Sequence, residues 1–149
     1  MPTVEQSIDV NVDVTTAYSQ WAQFESFPQW MEGVVSVDQI GDGRLHWVAR
    51  VQNEVATVEN ETREWDARIT EQTRDTRISW ESVGGKPGKK PNAGSVTFEP
   101  LGDSACRVTF RMEWEPEAAL KASESYMVAA VNQVVAADLA RFKDFIEAR

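Results

Sequence analysis

The stretch Cys106-Arg-Val-Thr-Phe-Arg-Met-Glu-Trp114, with the long segment from about Ala118 to Ala148 that follows it, decides how this chain folds. In the first, Cys106, Val108, Phe110, Met112 and Trp114 alternate with Arg107, Thr109, Arg111 and Glu113, the period of a strand with one apolar and one wet face. The second contains no glycine or proline, and Leu120, Met127, Val131, Val134, Val135, Phe142 and Phe145 fall on one helical stripe. A helix of ~28 residues is ~42 Å long, enough to cross a whole sheet. A one-faced sheet needs a cover, and this helix supplies it.

Other one-faced strands precede that pair. Val4, Ile8, Val10 and Val12 share a face, and Asp13 or Thr15 can cap the helix carrying Tyr18, Trp21, Ala22 and Phe24. Pro28 disfavours helical backbone at Phe27, so the first helix is expected to end there and a second short one to begin. Apolar rows then recur: Val35 and Val37; Leu45, Trp47, Ala49 and Val51; Trp65, Ala67 and Ile69; Ile78 and Trp80; Val96 and Phe98. Gly41-Asp-Gly43 is a turn, and the basic Gly84–Asn92 stretch reads as a mobile loop. The expected fold is α+β: about seven antiparallel strands curled around a long C-terminal helix, two short helices after the first strand, and one domain over 1–149.

Composition narrows the function. Lys and Arg number 15 against 24 Asp and Glu, a net charge of −9. That balance speaks against general nucleic-acid binding and against docking on anionic lipid, both of which draw on a basic surface. Neither a membrane-length apolar run nor a signal-peptide pattern is visible, and a lone cysteine fits a reducing compartment, so a cytoplasmic protein is expected. Cys106 sits in the apolar phase of its strand and reads as a buried, inert thiol. The only histidine, His46, falls on a polar phase, which leaves no Ser-His-Asp or Cys-His set, no metal site and no cofactor motif.

The order of elements resembles the helix-grip fold of the START-like (SRPBCC) superfamily. The motifs Trp21-Ala-Gln-Phe-Glu-Ser-Phe-Pro-Gln-Trp-Met-Glu-Gly-Val34, His46-Trp-Val-Ala49, Glu64-Trp-Asp-Ala-Arg-Ile-Thr-Glu71, Ile78-Ser-Trp80 and Asp138-Leu-Ala-Arg-Phe-Lys143 are similar to its bacterial polyketide cyclase/dehydrase branch. The stretch from Gln52 to Thr62 is longer than the hairpin usual there. The resemblance implies a cavity between sheet and helix, with Phe24, Phe27, Trp30 and Met31 closing one end.

An inward aromatic row can line a pocket for a hydrophobic or planar ligand, or simply pack the core. The candidate lining comprises that cluster with Trp47, Trp65, Trp80, Phe98, Phe110, Met112 and Trp114 from the strands. Met127, Val131, Val134, Asp138 and Phe142 come from the helix. Asp138 falls inside the apolar stripe, so it is either a structural pair with an inward arginine, indole N–H or backbone group, or a polar contact for ligand. Three functions follow in order of preference: binding a small hydrophobic aromatic or lipid-like molecule, cyclising a polyketide chain shaped in the pocket, and docking a protein through the loop or the acidic surface. The oligomeric state, monomer or homodimer, stays open.

Overall fold

The computed structural model describes residues 3–31, 34–41, 43–52, 57–83, 92–113 and 124–148. Strand β1 (Thr3–Val10) leads into helix α1 (Val14–Trp21) and a 3-10 helix (Phe24–Gln29). Strands β2 (Val34–Gly41), β3 (Arg44–Gln52), β4 (Thr57–Thr73), β5 (Arg77–Val83), β6 (Ala93–Gly102) and β7 (Ala105–Glu113) follow, and helix α2 (Glu124–Glu147) ends the chain. The strands form a single antiparallel sheet in the order β1-β7-β6-β5-β4-β3-β2. The expected α+β grip of a curved sheet on a C-terminal helix is therefore the fold of this chain. Trp114, Leu120 and the 84–91 segment lie outside the described residues.

Alternation decides which side of each strand meets the helix. Val4 and Val10 of β1 are buried while Thr3, Glu5, Ser7 and Asp9 in the opposite phase are exposed. Cys106, Val108 and Phe110 of β7 are buried in the same phase. Register carries that inner face across the sheet, from Gln6 to Phe110, Val96 and Ile78. On β2 the alternation breaks. The register slips between Val34 and Ser36, so Val35 is 42 % exposed although Val37 is buried. A bulge places an extra residue in one strand and turns the side chains on one side of it over.

The helices at the top differ from expectation in their boundary. α1 stops at Trp21, where the Ala22 amide donates to Tyr18 O, and Pro28 lies inside the following 3-10 helix rather than at its start. Pro28 brings no N–H to a continuing α-ladder, and its ring disfavours α geometry at Phe27, so tighter turns take over. Asp13 occupies the N-cap position of α1 and accepts from the Thr16 hydroxyl. Thr15 instead reaches across to Asp75 Oδ2 at 2.9 Å. Asp75 adopts a left-handed conformation (φ 61°) in the β4–β5 turn, one that aspartate tolerates better than most residues.

Candidate functional site

α1, the 3-10 helix and the C-terminal half of α2 meet over one end of the inner face, and the space there is filled by rings. Trp21 packs on Phe27, Trp30, Phe110 and Phe142 with centroids 5.4 to 5.9 Å apart. Phe24, Phe27, Trp30 and Met31 are all buried. The expected closing cluster at one end of the sheet thus exists, and it is part of the core. Phe98 and Phe110 are buried with it, and Phe98 meets Tyr18 edge-on at 5.7 Å.

From there the aromatic row continues outward. Phe27 meets Trp47 at 5.5 Å; Trp47 stacks on Trp65 at 5.9 Å with planes 7° apart, and on Trp80 at 6.4 Å with planes 29° apart. Trp80 in turn touches Phe110 at 5.8 Å. Burial falls along this row: Trp47 is 6 % exposed, Trp80 and Met112 are half-buried, and Trp65 is 38 % exposed. Trp47 and Trp65 are directly paired across β3 and β4, so both stand on the inner face. The apolar phase expected for Trp65 is correct, but its indole reaches solvent. Trp47 Nε1 is buried with no hydrogen-bond partner among the described residues, a donor left over in an apolar wall.

Helix α2 corrects the expected stripe. Val128, Val131, Val135, Leu139, Phe142 and Ile146 face the core, in steps of three and four residues. Val134 is 46 % exposed and does not belong to the lining. The seven-residue spacing from Met127 to Val134 fits a helix on either flank, and only docking on the sheet selects the flank through Leu139 and Ile146. The side chain of Met127 lies outside the description. Asp138 consequently sits at the edge of the stripe, 18 % exposed, and accepts from Arg141 at 2.5 Å. Arg141 also donates from Nε to the Trp30 carbonyl at 3.0 Å, so the pair ties α2 to the end of the 3-10 helix. Of the two roles open to Asp138, the geometry matches the structural pair. Nearer the other end of the helix, Gln6 donates to Asn132 Oδ1 at 2.6 Å and joins β1 to α2.

Residues that sequence reading passed over include Gly94, Leu139 and Ile146. Gly94 of β6 is paired with Trp80, and a Cβ built on it would lie 2.7 Å from two atoms of the indole. The Gly94-Ser-Val96 run opposite Ile78-Ser-Trp80 is the signal, legible only once the β5–β6 register is known.

The opposite, convex face carries other chemistry. His46 lies between two carboxylates, with Nδ1 2.7 Å from Asp66 and Nε2 2.9 Å from Glu64, and hydrogen bonds to both hold its pKa above the usual histidine value. A depression of about 200 Å³ on this face is lined by Arg77, Ser79, Glu81, Ser95, Arg111 and Glu113. Arg77 donates to Ser79 at 2.8 Å and Arg68 pairs with Glu81, so much of its polarity is spent within the sheet. Trp80 and Gly94, which belong to the aromatic row on the inner face, also contribute to its lining. Burial pushes the Cys106 thiol up to about 11, which makes it unreactive, as its strand phase implied. Among the described residues no cluster of three or more His, Cys, Asp or Glu could hold a metal, and no helix is long and apolar enough to cross a membrane.

A seven-stranded antiparallel sheet gripping one long helix, with an aromatic inner face, defines a START-like helix-grip protein. Residues 1–147 match the family described as polyketide cyclase/dehydrase and lipid transport, and the chain belongs to that family. It is 41 % identical over 149 residues to a 17.2 kDa protein of the melC2-rnhH intergenic region of Streptomyces lincolnensis, covering all of this chain and 92 % of that one. Among solved structures it is similar to the di-domain ARO/CYC BexL from the BE-7585A biosynthetic pathway. That likeness has a TM-score of 0.76 at 21 % identity, over 99 % of this chain and 47 % of that one. It is also similar to the Zhui aromatase/cyclase from Streptomyces sp. R1128, with a TM-score of 0.75 at 16 % identity over 99 % and 94 %. At such identities these likenesses speak for the fold.

Proposed function

We propose that this chain, acting as one START-like domain, binds a small hydrophobic molecule on the inner face of its sheet, under α2. The observation that carries the reading is the graded burial of the aromatic row, from sealed Trp47 to half-buried Trp80 and water-facing Trp65. A single exposed ring is ordinary on a protein surface. Here, however, the exposed ring stacks on a buried one and continues a row that leads into the core. Covering that edge with an apolar ligand removes surface worth about 25 cal/mol per Å². Trp47 Nε1 adds a buried donor within the row. The family description, which includes lipid transport, supports the same class of ligand.

A second reading, cyclisation of a polyketide chain held in the same place, is favoured by the activity in the names of the two structural neighbours. In that case the inner face would act mainly by fixing the shape of the chain, since the described row Trp47, Ala67, Trp80, Gly94 and Met112 offers no acid or base.

Tryptophan fluorescence and thermal unfolding with flavonoids, fatty acids and polycyclic phenols test the binding. A ligand at a hundred times its Kd should stabilise the fold by about 2.7 kcal/mol. Silence in both readouts across all three classes would sink the proposal. Product formation from a poly-β-ketone substrate, beyond its spontaneous cyclisation, would promote the second reading.

A further inference from the structure

We infer that Gly94 is a specificity-determining residue of the inner-face site, selecting flat fused-ring ligands over flexible acyl chains by letting the Trp80 indole lie down against β6. The inference rests on the ligand-binding reading above. Gly94 pairs with Trp80 on β5 and with Met112 on β7, in the middle of the sheet and on the inner face. A Cβ there would stand 2.7 Å from Cε2 and Cζ2 of the Trp80 ring and 2.8 Å from its Nε1, closer than real Cβ atoms come. Any other residue at position 94 forces the indole up and away from the sheet.

A glycine inside a strand costs backbone entropy and leaves a gap, so its presence marks a close approach by something else. The bland account is that a ring laid over a cross-strand glycine shields the backbone and steadies the sheet. That account explains Gly94 and Trp80 but not their setting. With the ring down, Trp80 lies within 29° of the plane of Trp47, which lies within 7° of Trp65. Three indoles thus share nearly one orientation, and the outermost is open to water. A rigid planar ring system can stack on this arrangement as one more member, gaining aromatic contact beyond its buried area and losing little conformational freedom. An acyl chain gains the area alone and gives up its rotamers. Raising the Trp80 ring would break the common orientation and shallow the site, which penalises the wide, flat ligand more than the thin one.

The test uses 1,8-dihydroxyanthraquinone and dodecanoate as probes on the full chain, with affinities from fluorescence titration and calorimetry. The unaltered protein should prefer the anthraquinone by about tenfold or more, and Gly94→Ala should bring that ratio to about one, mostly by loss of the flat ligand. In Gly94→Ala combined with Trp80→Leu, where no ring remains to collide, dodecanoate should stay within about threefold of the unaltered protein while the anthraquinone stays weak. Trp80→Leu alone decides the matter if Gly94→Ala does not fold, and it too should abolish the preference. An unchanged ratio in a folded variant overturns the inference and leaves Gly94 a structural residue. Equal binding of both probes by the unaltered protein overturns it as well, while leaving the ligand-binding reading intact. Failure of both probes to bind the unaltered protein counts against that reading itself, and the inference falls with it.

Discussion

His46 shows how a residue read correctly as polar in phase can still hold more than its phase reveals. Its imidazole is shared between Asp66, its cross-strand partner, and Glu64, two positions along β4. Those hydrogen bonds raise its pKa above the ordinary 6.5. The protonated form is thus favoured by folding. Its contribution to stability is complete below the unfolded value and disappears as pH rises through the higher folded value. Urea midpoints measured between about pH 5.5 and 8.5, the range in which histidine titrates, should fall across this window for the unaltered protein. The fall should shrink clearly in His46→Gln, which keeps a hydrogen-bonding side chain without the charge. An identical pH profile in the variant would show that the two carboxylates do not stabilise the imidazolium in solution.

At the scale of elements, α2 is the informative case. The absence of helix breakers and the three-four spacing of apolar residues announce the helix. They do not settle its rotation, because Val134 and Val135 are adjacent and both apolar. The sheet selects Val135, Leu139 and Ile146 and leaves Val134 outside. Leu139→Ala should therefore cost about 2–5 kcal/mol in denaturant unfolding, the range for a buried leucine that leaves a cavity. Val134→Ala should stay within about 0.5 kcal/mol, as at ordinary surface positions. A larger cost at Val134 than at Leu139 would mean that the helix docks with the other flank. The same rotation moves Asp138 to the margin, where Arg141 meets it at 39 % exposure, so the pair is worth about 1 kcal/mol or less.

For the molecule as a whole, Trp21 is the joint. It lies at the end of α1 and touches rings from the 3-10 helix, β7 and α2, together with Trp30. One side chain thus connects the cap to both layers of the domain. Trp21→Ala should cost about 3–5 kcal/mol, the range for truncating a large buried ring. It should also expose hydrophobic surface at the closed end of the sheet, read by binding of a hydrophobic dye. A loss under about 1 kcal/mol would show that the remaining rings collapse to take its place.

What the amino-acid order settled by itself was whatever local periodicity can encode. Cys106 to Met112 and Val4 to Val10 could only be one-faced strands, the Glu124–Glu147 segment could only be a long amphipathic helix, and Phe24 to Met31 had to be buried somewhere. Tertiary structure decided everything that depends on two elements meeting. The bulge in β2 turned Val35 to solvent, the rotation of α2 expelled Val134, and the β5–β6 register set Trp80 on Gly94. Whether each tryptophan of the row is core or lining was decided the same way. A ring's phase on its strand says which side it faces, whereas its burial depends on how closely the opposite layer approaches, and that distance is a property of the packed whole.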